Sequence, residues 1–539
     1  MARSLRWLGR CPLLACAVAA GAPADPALAG RLAVLETRLW QQQEVIKMQQ
    51  SRLSVLESSG RHNSSASRRL QAVKPSIHGN SSDMRAYTDA ENARGALTYM
   101  WMVLCGVLVV FMQPGAMLLE AGSARSKSIQ GVMARHMTHA CVIAMTWLVV
   151  GWAFAFSGPF KTVDGREFKT RLVGVREFAA TDFYAEPAGG LVEPSDKMAR
   201  WFFHWAVACV AASQVSGGLT ERVSYCSYTF IIVLFSVVIY PIAVASVWGK
   251  GWLTEVNEVG AFDFAGGVIV HISGGTVGLA AALVSGPRPH RWENPERFAP
   301  HSPTLIVLGT LAQWFGWYGL SCGMTGGMGE AAGAFTAAQV AMNNTLAAAA
   351  GGLVAFVVSF LSSRCTQYDV QKFCHGILAG LVAISPGCAT VTVWASLLIG
   401  VVGGLVYLAI SKLARRGKVD DPIDAFAVHA VPGCWGALAA VVFDWHMDAS
   451  KFHGPGGWAC VPSADGCNPD ALAHALWANF LMISFVLFWA LIISVVLLLP
   501  LRMLRLFRYD GPMEEPPAAE VAGDMVLLGG HRVPGLVAI

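Results

Sequence analysis

Residues 263–271 read Asp263-Phe264-Ala265-Gly266-Gly267-Val268-Ile269-Val270-His271, and residues 424–429 read Asp424-Ala425-Phe426-Ala427-Val428-His429. Each stretch opens an apolar run with an acid and then places an imidazole further in. His271 follows Asp263 by eight residues, about two helical turns deeper on much the same side, and His429 follows Asp424 by five. Burying an ionisable group in an apolar helix costs several kcal/mol on most scales, so such a group reads as functional by default. One buried histidine alone reads as a satisfied core residue. Two at matching places, five apolar runs apart, read as corresponding elements of an inverted repeat, because five helices per half reverse the orientation.

Working outward, apolar runs of spanning length recur near 97–121, 136–157, 200–219, 225–247, 264–285, 303–323, 334–362, 373–391, 393–412, 425–444 and 473–500. Runs of this kind cross roughly 30 Å of hydrocarbon as helices. The expectation is an all-α polytopic membrane protein of about 11 transmembrane helices: two inverted five-helix repeats plus an eleventh helix, filling a membrane domain over 96–500. Basic residues orient it. Arg125, Lys127 and Arg135 fall in one connection, and Arg222, Arg288 to Arg297, Arg364 with Lys372, Lys412 to Lys418, and Arg502 to Arg508 follow in every second one. The positive-inside rule then puts the N-terminus out and the C-terminus in, with a cytoplasmic tail over 501–539.

Composition agrees: 54% of residues are hydrophobic and 14% charged, against roughly 25% charged in soluble domains. The expected surroundings are a lipid bilayer. A net charge of +4 without a dense basic block gives no reason to expect nucleic acid. No G-x-S-x-G elbow and no acid, His and Ser set falls at one membrane depth, so an enzyme is not expected. Two histidines without a clustered third ligand give no metal site, and no cofactor is expected. Most cysteines sit singly in apolar runs as small hydrophobes. Cys460 and Cys467 instead share a polar loop that the orientation places outside, where a disulfide can form.

The N-terminus reads separately. Arg3, Arg6 and Arg10 precede a short apolar run and Ala27-Leu28-Ala29, which gives a signal peptide over 1–29, with an uncleaved anchor as the alternative. Leu32, Leu39, Ile46 and Leu53 fall seven apart, with Leu35, Gln42, Gln49 and Leu56 on the second seam. That predicts an extracellular coiled coil over 30–60, or a lone amphipathic helix. A polar, disordered linker is expected over 61–95, with glycosylation sequons at Asn63 and Asn80. A secretory signal on a multi-pass chain places it in the plasma membrane, an internal membrane being the alternative.

Several motifs resemble, in order along the chain, those of the ammonium transporter family (Amt, Mep and Rh proteins), the Amt and Mep branch most closely. They are Leu118-Leu119-Glu120-Ala121-Gly122-Ser123, Gly217-Gly218-Leu219-Thr220-Glu221-Arg222, the Asp263 to His271 stretch, Trp314-Phe315-Gly316-Trp317-Tyr318-Gly319, Asn344-Thr345-Leu346, and Asp420-Asp421-Pro422-Ile423-Asp424 leading to His429. The resemblance implies a homotrimer, each subunit holding its own narrow, mostly apolar pore for ammonium or ammonia. It implies that Trp248 and Asp263 belong to an outer ammonium site and that His271 and His429 are twin pore histidines. A bare cation is costly in a dry pore and neutral ammonia is not. Imidazoles suit the proton hand-over this requires.

The chain also departs from the family pattern. Val207 and Leu320 fall where the family's two gate phenylalanines are expected, and Phe203, one turn before Val207, is placed to fill part of that gap. Met324 replaces a small hydroxyl residue of the outer site, and His375, a candidate pore-lining residue, replaces a small polar one. Asp424 is expected to serve as a structural acid. These changes predict a wider or differently gated constriction. They leave open an ammonium sensor with little flux, or a channel for another small neutral solute.

Overall fold

The computed structural model describes residues 89–163, 166–183, 196–444, 461–463, 466–468, 470–508, 525–528 and 531–534. The expected signal peptide, coiled coil, most of the linker, Asn63, Asn80, Cys460 with its pairing to Cys467, and most of the tail lie outside these residues.

The chain runs through α1 (Ala93–Ser123), α2 (Ser126–Phe156), α3 (Lys197–Leu219), α4 (Tyr225–Ser246), α5 (Gly267–Ser285), α6 (Pro303–Gly323) and α7 (Ala331–Ser362). It continues through α8 (Val370–Ile384), α9 (Val393–Arg416), α10 (Phe426–Val442) and α11 (Ala471–Met503). Among the described residues nine of these are long and apolar enough to cross a membrane; α8 and α10 are shorter. Between α2 and α3 a two-stranded antiparallel hairpin, β1 (Phe160–Val163) with β2 (Arg166–Lys169), pairs Phe160 with Lys169.

The helices follow the apolar runs, with two informative differences. α2 begins at Ser126, ten residues ahead of the hydropathy edge at 136. Its early turns carry Arg135, His136 and His139, which hydropathy treats as solvent-facing. All three are buried, because Glu120 at the end of α1 accepts from Arg135 at 3.1 Å and bonds His136 at 2.9 Å, while His139 bonds Tyr228 and Gln113. Ser216 and Thr220 of α3 also donate to Glu120, so one carboxylate ties three helices together. α8 stops at Ile384, short of the expected 391, because Pro386 cannot continue the ladder and Ser385–Gly387 turns instead.

α3 and α5 form the buried centre, whereas α7 and α11 turn large apolar side chains such as Phe335, Leu353, Leu361, Phe488 and Val496 outward. Without a hydrophobic force between helices in lipid, close backbone approach supplies the packing, and small residues permit it. The α3–α5 crossing depends on this: a Cβ at Gly218 would lie 2.3 Å from the Gly278 carbonyl oxygen and 2.9 Å from its Cα. Gly218→Ala must therefore push the two central helices apart. Overpacking of this kind costs about 1–3 kcal/mol. The expected result is a lower thermal midpoint of the detergent-solubilised protein, and an unchanged midpoint would contradict the crossing.

Two ends follow from the connections. Arg125 of the α1–α2 link, Glu221 and Arg222 of the α3–α4 link, Arg288 and Arg291 of the α5–α6 link and Asp420 of the α9–α10 link meet in one ion-pair cluster. The ends of α2, α4 and α6 and the start of α3 meet at the opposite end, around Trp248.

Candidate conduction site

The cavity at the Trp248 end has a volume of about 390 Å³. Trp248, Phe203 and Met324, expected together from sequence, all line it, joined by Met102, Trp152, Phe156 and His204. His204 lies against Phe156 with ring centroids 4.4 Å apart, against Phe203 at 5.3 Å and against Trp248 at 5.8 Å. Aromatic faces of this kind attract a cation by about 0.5–2 kcal/mol. Lys197, Arg200, Lys250 and Glu177 also border the cavity, and Arg200 and Lys250 pair with Asp196 and Glu167. Lys197 pairs with Glu177 at 2.7 Å, and the Glu177 carboxylate also accepts from Trp152 Nε1. Nearby, the Lys169 ammonium donates to the carbonyls of Phe154 and Ala155. Its burial pushes its pKa down to about 8.

Asp263 lies behind this cavity rather than in its lining. Its carboxylate accepts from the backbone N–H groups of Gly266, Gly267, Val268 and Ile269 at 2.8–3.0 Å, and Trp248 Nε1 donates to its carbonyl at 2.7 Å. The first turn of a helix leaves four such donors unsatisfied, and Asp263 takes all four at the head of α5. Gly266, at φ +88°, supplies the left-handed turn into the helix. Asp424 behaves differently despite its similar place in sequence. Its carboxylate accepts from Ser411 at 2.8 Å and Arg415 at 3.1 Å on α9, and Asp421 caps Phe426 N–H instead. The two acids correspond in position and not in bonding.

His271 and His429 face each other from the π-helical first turns of α5 (Gly267–Ile272) and α10 (Phe426–Ala430). Single π-helical turns of this kind occur often at functional sites. The two Nδ1 atoms are 3.2 Å apart, and the rings meet edge to edge, with centroids 5.2 Å apart and 11° between their planes. Trp317 stacks on His271 at 4.9 Å and 7°. Gln214 of α3 places its amide nitrogen 2.9 Å from His271 Nδ1. With that amide donating, His271 Nδ1 is an acceptor, so the proton between the two rings belongs to His429 Nδ1. His271 then carries its own proton on Nε2, which is buried without a hydrogen-bonding partner among the described residues.

Val207 and Leu320 are both fully buried, and neither lines the cavity, whose lining from α3 and the end of α6 includes Phe203, Gly323 and Met324. His375 is buried on α8 beside Tyr407 and Asp424. Glu120, His204, Gln214 and Trp317 are contributors that the sequence reading does not single out as site residues. A charged or amide side chain inside an apolar run is a usable signal for Glu120 and Gln214. Trp317 and His204 carry no such mark, since aromatic and interfacial residues are ordinary in membrane helices.

A bundle of apolar helices with an aromatic cavity at one end and two facing imidazoles between α5 and α10 is the architecture of a polytopic membrane transport protein. The chain belongs to the Ammonium Transporter Family, whose model matches residues 100–520. It is 34% identical over 369 residues to ammonium transporter Amt2 of Archaeoglobus fulgidus, covering 66% of this chain and 74% of that one. Among solved structures it is similar to Mep2 of Candida albicans, with a TM-score of 0.65 and 26% identity over 79% of this chain and 88% of that one. It is also similar to a sensor Amt protein, with a TM-score of 0.66 and 26% identity over 78% of this chain and 96% of that one.

Proposed function

We propose that this chain carries ammonium across a membrane through a pore running from the Trp248 cavity past His271 and His429 towards the Asp420 end. The observation that carries the reading is the facing imidazole pair of α5 and α10, with Nδ1 atoms 3.2 Å apart, in a bundle that also holds an aromatic cavity. The cation enters against the rings of Trp248 and Phe203, with Met324 beside them. It gives up a proton before the dry interior, because ammonia is neutral and the cation is costly there. The shared proton of the histidine pair provides the route by which that proton travels separately. Family membership supports the same assignment. The Trp248 end then faces outward and the basic Asp420 end faces the cytoplasm, in a plasma-membrane homotrimer.

A sensor with little flux is the second reading, favoured by the likeness to a sensor Amt protein. Expression in a transporter-deficient cell separates the two. Restored growth on low ammonium is expected; no rescue by protein that reaches the surface would contradict transport.

A further inference from the structure

Beyond the facing pair, a third imidazole, His375, is buried on α8. His375 is the sixth residue of α8, whose first turn, with Asp369 and Lys372, starts from the α7–α8 link. Asp424, its neighbour, precedes His429 by five residues at the head of α10, so His375 falls between the histidine pair and the end of the bundle marked by Asp420. Its side chain is 1% exposed. Nδ1 faces the Tyr407 hydroxyl at 3.4 Å and the Asp424 carboxylate at 3.8 Å, while Nε2 is buried with no hydrogen-bonding partner among the described residues. A buried polar atom without a partner costs free energy, which a ligand able to hydrogen-bond it recovers. A carboxylate beside one ring nitrogen holds the proton there and leaves the other nitrogen as the working atom.

We infer that His375, backed by Asp424, is an acid–base group that binds ammonia at Nε2 and reprotonates it on the way out. The inference rests on the conduction path proposed above. Ammonia arriving from the pair meets protonated His375; the Nε2–H bond breaks, an N–H bond forms, and ammonium leaves the imidazole neutral. The proton removed from the entering ammonium and held at His429 then recharges His375, so one proton enters and one leaves per ammonia. Asp424 keeps its charge throughout, held by Arg415 and Ser411. The groups that bear on His375 are Asp424, Tyr407 and Arg415 beside it, Asp369 and Lys372 on its own first turn, and His429 with His271 across the path.

The test reconstitutes the full chain in liposomes and records ammonium-driven current and ammonium flux while the pH on the Asp420 side is varied. The wild type is expected to lose current as that pH rises through the imidazole range. In His375→Gln this limb disappears, and a residual flux at least tenfold slower remains, flat with pH. His375→Ser, restoring the small polar residue of the family pattern, gives the same reading if the glutamine variant does not accumulate. An unchanged profile overturns the inference, and so does a loss equal at every pH, which a merely structural residue would give. Absence of both current and flux in the wild type would instead sink the conduction path itself.

Discussion

Replacing His271 with alanine is expected to lower ammonium transport about a hundredfold or more, the usual contribution of a positioned proton-transfer group. The geometry explains why the loss should be large. Trp317 stacks on the His271 ring, and His271 Nδ1 is the common partner of His429 and Gln214. Removing the ring takes away the proton acceptor and empties the space against the Trp317 face. His429 is then left with its Nδ1 proton unpartnered in an apolar interior. Uptake of radiolabelled methylammonium by cells expressing equal amounts of each protein reads this directly. Trp248 and Phe203 are untouched, so binding at the cavity is expected to survive where passage does not. Undiminished, selective transport would remove the histidine pair from the mechanism.

The second large effect is structural. The Asp420 side chain is 2% exposed and pairs with Arg222 at 2.9 Å, Arg288 at 2.9 Å and Arg291 at 3.3 Å, and it also accepts from the Arg288 backbone N–H. Asp420→Ala leaves the Arg222 guanidinium buried without its carboxylate partner and Arg288 with Glu221 alone. Stranding a buried charge in this way costs about 3–5 kcal/mol. The cluster joins four inter-helix connections, so the expected outcome is a sharply lower thermal midpoint and poor accumulation in the membrane. A midpoint within a degree or so of the wild type would contradict it.

The same site fixes a pH dependence. Burial alone would raise the Asp420 pKa, but the hydrogen bond and charge of Arg288, with Arg222, hold it below the usual carboxylate range. A depressed folded pKa means stability that is fully present above the unfolded value of about 3.9 and is lost as pH falls through the lower folded value. Asp421, one residue on, is shifted the other way, to about 6, by burial and by the neighbouring Asp424.

Much of the membrane domain is legible in the sequence because lipid imposes a simple rule: a spanning helix must be long and apolar. The runs near 303–323 and 334–362 are matched closely by α6 and α7 for that reason. The rule fails where polar groups satisfy one another inside. At α2, Arg135 and His136 read as a helix boundary until Glu120 is seen to neutralise them. The histidine pair is legible because two ionisable residues recur at matching places, and Trp248, Phe203 and Met324 do converge on one cavity. What pattern cannot supply is the partner of each group. Asp263 and Asp424 look alike in sequence, yet one caps its own helix and the other turns to α9. Gln214 reaches His271 across 57 residues of chain, a contact no local spacing announces.

The most direct test of the central claim is ammonium flux through the purified, full-length chain in liposomes under an imposed ammonium gradient. The account predicts saturable flux that His271→Ala removes while protein incorporation stays the same. Saturable ammonium binding with flux no faster than protein-free liposomes would contradict it and leave a sensor in place of a transporter.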